Sequence, residues 1–232
     1  MALPCDGCPV RDRAACSVLD TDERVALARS GRIRRLKRGE LLFAAGDQNA
    51  ACATLISGAL KVAAVDEEGT ERILALVHPA GFIGELFTPF AHHDVVALSD
   101  SELCVFPRSE MGRAVESHPK LAQALLRRSQ EDLHQSRDLL ALSGRRSAAE
   151  KVGAMLMGLA EAASDSPCHP ARRFELPMTR GEIAGMLGLT IETVSRAITR
   201  FERDGAIRRI GARGIELIDP ARLGLSAEGR VA

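Results

Sequence analysis

Thr179 and Thr190 frame the segment that most constrains what this chain can fold into. The run reads L-P-M-T-R-G-E-I-A-G-M-L-G-L-T-I-E-T-V-S-R-A-I-T-R-F-E-R-D-G, residues 176–205. Thr179 is placed to cap a helix whose apolar residues are Ile183, Met186 and Leu187. Gly188-Leu189-Thr190 turns the chain, and Thr190 caps a second helix with Val194, Ile198 and Phe201 inward. Two short helices joined by a glycine-containing turn fit a helix-turn-helix.

The outward face of the second helix begins with Glu192, Ser195, Arg196 and Arg200. A recognition helix reads bases mainly from its N-terminal turns. Arg196 can hold guanine through two hydrogen bonds, Glu192 can accept from cytosine, and Ser195 can touch a base or phosphate. Residues 206–210 and 215–218, joined by Gly211-Ala212-Arg213-Gly214, spell a hairpin. That predicts a wing, with Arg208, Arg209 and Arg213 near the DNA backbone. A lone Arg or Glu on a helix is normally just solvated. Cap, turn, polar face and wing together are much harder to obtain by accident.

Upstream, residues 32–107 carry short aliphatic runs such as E-L-L-F, A-T-L-I, L-K-V-A-A-V, R-I-L-A-L-V and E-L-C-V-F. Turn signals at Lys37-Arg38-Gly39, Ala45-Gly46-Asp47, Ser57-Gly58, Glu67-Glu68-Gly69 and Pro79-Ala80-Gly81 separate them. Roughly eight short strands at this spacing predict an antiparallel roll or barrel. Asp20 or Thr21 is expected to cap a helix ahead of it, ending before Gly31. Ser109 is expected to cap a short helix after it. A long helix then begins at Pro119, a good first-turn residue. Leu126, Leu133 and Leu140 fall seven apart along it, with Ser129, Ser136 and Ser143 three residues after each. This spacing reads as a pairing seam between two copies of the helix; the alternative is a helix packed on its own roll. Gly144-Arg145-Arg146 reads as a hinge, Ser147 as the next cap, and residues 164–173 as a loop.

The expected fold class is therefore α+β, with four parts. These are a cysteine-bearing arm (residues 1–19), a β-roll (20–118), a dimerisation helix (119–144) and a winged helix-turn-helix (145–232). Residues 1–144 hold 17 basic and 20 acidic residues, a net of −3, and residues 145–232 hold 14 and 11, a net of +3. The basic C-terminal part suits a phosphate-bearing partner. No apolar run approaches the roughly 18 residues of a membrane helix, and the N-terminus lacks a secretory pattern. The expected location is the cytosol, without a membrane partner. No paired carboxylates, nucleophile–base set or phosphate-cradling loop points to an enzyme.

In a reducing cytosol, clustered cysteines serve metals or redox chemistry more often than disulfides. Cys5, Cys8 and Cys16 crowd the N-terminus, with two and then seven residues between thiols, and Cys104 stands alone in mid-chain. Three local thiolates and one distant one suit a [4Fe-4S] cluster, and four thiolates suit zinc. Cys52 and Cys168 fit no ligand pattern, and His92-His93 reads as a solvated loop pair.

The glycine-punctuated roll, the long helix and T-R-G-E-I-A-G-M-L-G-L-T-I-E-T-V-S-R together resemble the Crp/Fnr family of bacterial transcription regulators over nearly the whole chain. The E-T-V-S-R stretch resembles Fnr-type members. The resemblance implies that Glu192, Ser195 and Arg196 read TTGAT-type half-sites and that Arg180 contacts phosphate. A homodimer would bind a TTGAT-N4-ATCAA duplex and work as an activator with RNA polymerase. It also implies that Cys5, Cys8, Cys16 and Cys104 hold an oxygen-sensing [4Fe-4S] cluster, because Fnr-type regulators carry an N-terminal trio and a fourth cysteine late in the roll. The wide second gap resembles other proteobacterial Fnr-like proteins rather than enteric ones. Enteric members place an acidic residue in the dimer helix where this chain has Ser136; either dimerisation is less switchable here, with a constitutive dimer that changes shape, or the repulsion comes from Asp132 or Asp138. Cyclic-nucleotide members pair Gly-Glu-Leu with a later Arg-Ser. This chain keeps Gly84-Glu85-Leu86, but F-T-P-F-A-H-H-D-V-V-A-L lacks both Arg and Ser, so a bound phosphate would have no guanidinium partner.

Overall fold

Asp20 starts the first helix, α1 (Thr21–Ser30), through a reciprocal cap. Its carboxylate accepts from the Glu23 backbone N–H at 2.9 Å, and Glu23 accepts from the Asp20 N–H at 2.9 Å. Such a box satisfies two of the donors that every helix start leaves open. The structure, a computed structural model, describes residues 5–69, 71–145, 147–164 and 168–223, excepting the side chains of 142–145.

Eight strands follow: β1 (Arg32–Leu36), β2 (Leu41–Phe43), β3 (Ala51–Ser57), β4 (Leu60–Val65), β5 (Glu71–Val77), β6 (Phe82–Ile83), β7 (Asp94–Ala97) and β8 (Ser101–Pro107). They pair as two antiparallel four-stranded sheets, ordered β1-β8-β3-β6 and β2-β7-β4-β5. Leu36, Leu55, Leu60, Leu103 and Val105 form the core of the roll. Alternation along a strand sends neighbouring side chains to opposite faces. On β8, Leu103 and Val105 enter this core, whereas Cys104 and Phe106 pack on the other side among Ala15, Leu27, Met111, Leu121 and Leu125. The pleat thus delivers Cys104 to the face covered by the N-terminal arm and helices. Gly84 is fixed by the same close packing. At φ +132° its own Cβ would lie 2.6 Å from that of Cys52.

Helix α2 (Arg108–Ser117) begins one residue before the expected cap. Pro107 stands at the N-cap without a side-chain bond, and Ser109 lies inside the first turn. The strand end supplies the substitute. The Arg108 N–H donates to the Ala50 carbonyl at 2.9 Å, and Pro107 enters the helix with φ −57°. Helix α3 (Pro119–Arg145) starts at its proline as expected and buries Leu121 and Leu125. The expected hinge is corrected at Gly144 and Arg145, which continue the helix; Arg146 lies outside the described residues. One glycine costs a helix only about 1 kcal/mol, too little to end a long one.

The chain divides into two compact units, Met1–Ser136 and Arg137–Ala232. The second contains α4 (Ala148–Ala162), β9 (Arg173–Glu175), α5 (Arg180–Leu187), α6 (Ile191–Arg203), β10 (Ile207–Ile210) and β11 (Gly214–Leu217). Ser147 and Glu150 cap α4 reciprocally. The sheet order is β10-β11-β9. Strand β9 begins at the last residue of the expected loop and was not itself expected: buried Phe174 pairs with Ile215, extending the hairpin to three strands. Among the described residues no helix is long and apolar enough to cross a membrane.

Candidate functional site

The two helices of the C-terminal unit are set by their caps. The Thr179 hydroxyl accepts from the Glu182 N–H at 3.2 Å, and Glu182 accepts from the Thr179 N–H at 2.7 Å. Helix α5 ends at Gly188, left-handed at φ +63°, a conformation that glycine adopts without a Cβ penalty. The Thr190 hydroxyl then accepts from the Thr193 N–H at 3.2 Å and opens α6. Val194, Ala197, Ile198 and Phe201 of α6 are buried. Its other face exposes Glu192, Arg196 and Arg200, with Ser195 half-buried beside them.

These side chains are held but available. Arg196 Nη2 donates to Thr193 Oγ1 at 3.3 Å, and Arg200 Nε lies 3.4 Å from an Asp204 carboxylate oxygen. The α6 N-terminal backbone N–H and the Thr190 hydroxyl hold the Glu192 carboxyl below its usual range, so it stays ionised and acceptor-only. Arg180, first residue of α5, is half-buried, and its Nη1 is buried without a hydrogen-bond partner. Burial, then the nearby Arg209 cation, lowers its pKa. Two wing arginines are exposed and paired. Arg209 donates to Glu202 from its N–H at 3.2 Å and Nε at 2.7 Å, and Arg208 Nη1 lies 3.3 Å from buried Glu216. These pairs lock the wing to α6 and to β11; Arg213 sits half-buried at the wing turn.

The N-terminal unit brings the four singled-out cysteines onto one cavity. Cys5, Cys8, Cys16 and Cys104 line a space of about 40 Å³ with walls that include Ile56, Phe82, Phe106 and Leu121. Short 3-10 turns, Cys5–Gly7 and Ala15–Val18, present Cys5 and Cys16, and Cys8 directly follows the first. Burial, then the other thiols, pushes Cys5 and Cys16 up, and the same causes push Cys104 up to about 12. Burial and mutual proximity favour protonated thiols, and a bound cation would make four thiolates tenable there. Among the described residues, no three Cys, His, Asp or Glu side chains converge closely enough to hold one metal ion. Cys52 is fully buried and pushed up to about 12 by burial, and Cys168 is exposed. His92, expected as a solvated residue, pairs through Nδ1 with the Glu85 carboxylate.

Two arginines at this site escaped the sequence reading. Arg24 lines the thiol cavity from α1, and Arg128 of α3 donates to the Arg13 carbonyl in the arm. Neither has a motif of its own. Leu126, Leu133 and Leu140 are 61%, 49% and 75% exposed in the single chain, an apolar stripe along α3.

Residues 150–225 match a family model described as a Crp-like helix-turn-helix domain, and residues 33–118 one described as a cyclic nucleotide-binding domain. The chain is 32% identical to the transcriptional activator protein FnrL of Cereibacter sphaeroides over 94% of its length and 90% of the relative's. It is 35% identical to the nitrogen fixation regulation protein FixK of Bradyrhizobium diazoefficiens over 94% and 92%. The structure of FixK2 from Bradyrhizobium japonicum superposes with a TM-score of 0.75 at 25% identity, covering 83% of this chain and 95% of that one.

Proposed function

The chain belongs to the Crp/Fnr family of transcription regulators, and on that premise we propose that this DNA-binding activator senses oxygen through a [4Fe-4S] cluster and reads TTGAT-type half-sites as a homodimer. Its relatives are transcription activators, and the chain is a regulator rather than an enzyme. The names of those relatives leave the signal open; the observation that carries the oxygen reading is the four-thiol cavity.

The donor set fits the cluster. It is all sulfur, the chemistry that iron–sulfur centres and zinc prefer over hard cations. One zinc ion with bonds of about 2.3 Å needs four sulfurs converging on a point. A cluster binds each thiolate to a separate iron and accepts thiols spread around a cavity. The four cysteines share one cavity, and that shared lining is what supports a common sulfur-bound centre. Cys5, Cys8, Cys16 and Cys104 would hold it. When bound, such a group supplies an oxygen-labile link between the arm and β8.

The protein's own residues carry the rest. With the arm held to the roll, Arg128 ties the arm's Arg13 carbonyl to α3 and favours the pairing of Leu126, Leu133 and Leu140 with the same residues of a second copy. Pairing sets two α6 helices about 34 Å apart, one DNA turn. There Arg196, Glu192 and Ser195 meet base edges, and Arg180 and Arg200 meet phosphates. RNA polymerase is the partner an activator serves.

The test is anaerobic purification with iron and sulfide analysis. A brown protein with equal iron and sulfide, bleached by air and lost in Cys104→Ser, is expected. A colourless protein with stoichiometric zinc overturns the reading.

A further inference from the structure

We infer that Arg24 is a positioning residue for the thiolate site, supplying the positive charge and hydrogen-bond donor that hold a bound cluster in place; the inference rests on the cluster reading above. Arg24 lies in the first turns of α1 and shares the cavity with all four cysteines. One side of its guanidinium is engaged: Nη2 donates to the Leu19 carbonyl at 2.6 Å, which fixes the group against the end of the arm. Its Nε is buried and has no hydrogen-bond partner. A buried charged donor without an acceptor is costly, and the thiols around it are weak acceptors while protonated. Thiolate or sulfide sulfur carries the charge this donor lacks.

The neighbourhood leaves little else to do this. Arg11 also lines the cavity, but its Nε bonds the Asp12 carboxylate at 3.2 Å and its Nη1 the Asp6 carbonyl. No acidic residue is among the lining residues. Four thiolates around a [4Fe-4S] core leave net negative charge, and hydrogen bonds and charge near the sulfurs tune such a centre. Groups of this kind around metal ligands typically contribute 10–100-fold in metal retention.

The experiment compares anaerobically reconstituted full-length protein with R24Q and R24K. Iron release to a chelator, the cluster's midpoint potential, and melting of the metal-free protein are measured on each. R24Q is expected to release iron roughly tenfold faster than the parent and to show a more negative midpoint potential. R24K, keeping the charge without the planar fork, is expected to fall between. If R24Q fails to fold, an R24K protein with intermediate release still carries the inference. Parent-like release and potential in a loaded R24Q overturn this assignment alone. So does R24K behaving like R24Q while both metal-free variants melt lower by the same amount, the signature of a lost Leu19 contact. A parent that takes up no iron and sulfide overturns the cluster reading together with this assignment.

Discussion

Arg128, on the long helix α3, donates from Nη2 to the carbonyl oxygen of Arg13, midway along the seven-residue gap between Cys8 and Cys16. The same guanidinium reaches Glu131 at 3.0 Å, one turn further along the helix. A side chain on the proposed pairing helix thus holds the backbone of the proposed sensing loop. Two states of the arm can bias two states of the helix only through such a differential contact.

Replacing Arg128 by Ala should loosen that coupling without unfolding either part. A charged donor to a carbonyl contributes about 1 kcal/mol net, equivalent to roughly fivefold in an equilibrium. The dimer dissociation constant of the cluster-loaded protein should rise by about that factor, and that of metal-free protein should not change. Anaerobic sedimentation of both forms measures this. Equal shifts in both forms would remove Arg128 from the signal route.

The leucine stripe gives a sharper separation between folding and assembly. Leu133 is half-exposed in the single chain, so Leu133→Glu should change protomer stability by under about 0.5 kcal/mol. Placed in a paired seam, the same carboxylate faces its own copy and loses its water. The variant should elute at monomer mass with an unchanged thermal melt. A dimeric L133E protein would relocate the interface.

On α6, Arg196→Ala should weaken binding to a TTGAT-N4-ATCAA duplex by about 1–3 kcal/mol and relax selectivity at the guanine position. Arg200→Ala should weaken all sequences alike and reduce the salt slope by about one. Its present partner, Asp204 at 3.4 Å, is exposed enough to release it. Fluorescence anisotropy against salt, with matched and G-substituted duplexes, distinguishes base readout from phosphate contact.

What the sequence made legible was local. The caps at Asp20, Ser147, Thr179 and Thr190 depend on residues three apart, and each closes as read. The roll was legible because its turns are marked by glycine, with Gly39, Gly46, Gly58 and Gly69 all at positive φ. Strand β9 was not, because three residues with one apolar side chain carry no period; its pairing with Ile215 depends on a partner about forty positions away. Arg24 and Arg128 were illegible for the same reason. Their surroundings come from the arm folding back, and nothing in a helix's own pattern distinguishes them from solvated arginines. The facing of Cys104 could have been read from β8 itself, since alternation with Leu103 and Val105 sends it away from the roll core.

The cyclic-nucleotide match at residues 33–118 invites a direct check. A second cavity, about 190 Å³, lies in the roll beside Gly84 and Glu85 and is lined by Asn49, His93, Asp132 and Gln135 among others, with no Arg or Lys. Glu85 is already engaged by His92 and Thr88. A cyclic phosphate there would be buried near carboxylates without a cation, which is costly. Cyclic AMP should therefore leave the melting temperature unchanged; a concentration-dependent rise would restore the nucleotide as effector.

Acid sensitivity of the roll should trace in part to His78, which follows β5 at the Pro79-Ala80-Gly81 turn. Burial lowers its pKa from 6.5 to about 4. Depressed in this way, the folded imidazole takes its proton later than the unfolded one as pH falls. Above pH 6.5 both forms are neutral and the group contributes no pH dependence. Between about 6.5 and 4 the unfolded chain gains a proton that the folded chain refuses, so stability declines across that window. Below about 4 both are protonated and the loss levels off. A tenfold change in proton affinity corresponds to about 1.4 kcal/mol, and because the residue keeps part of its contact with water the loss should be on the order of 2 kcal/mol. Carboxylates held below their usual range, Glu85 among them through its bonds to His92 and Thr88, add their own loss in acid, so the informative quantity is the difference between parent and His78→Gln. Denaturant titrations across the window should show the parent losing more stability than H78Q, and parallel curves would place the acid sensitivity elsewhere.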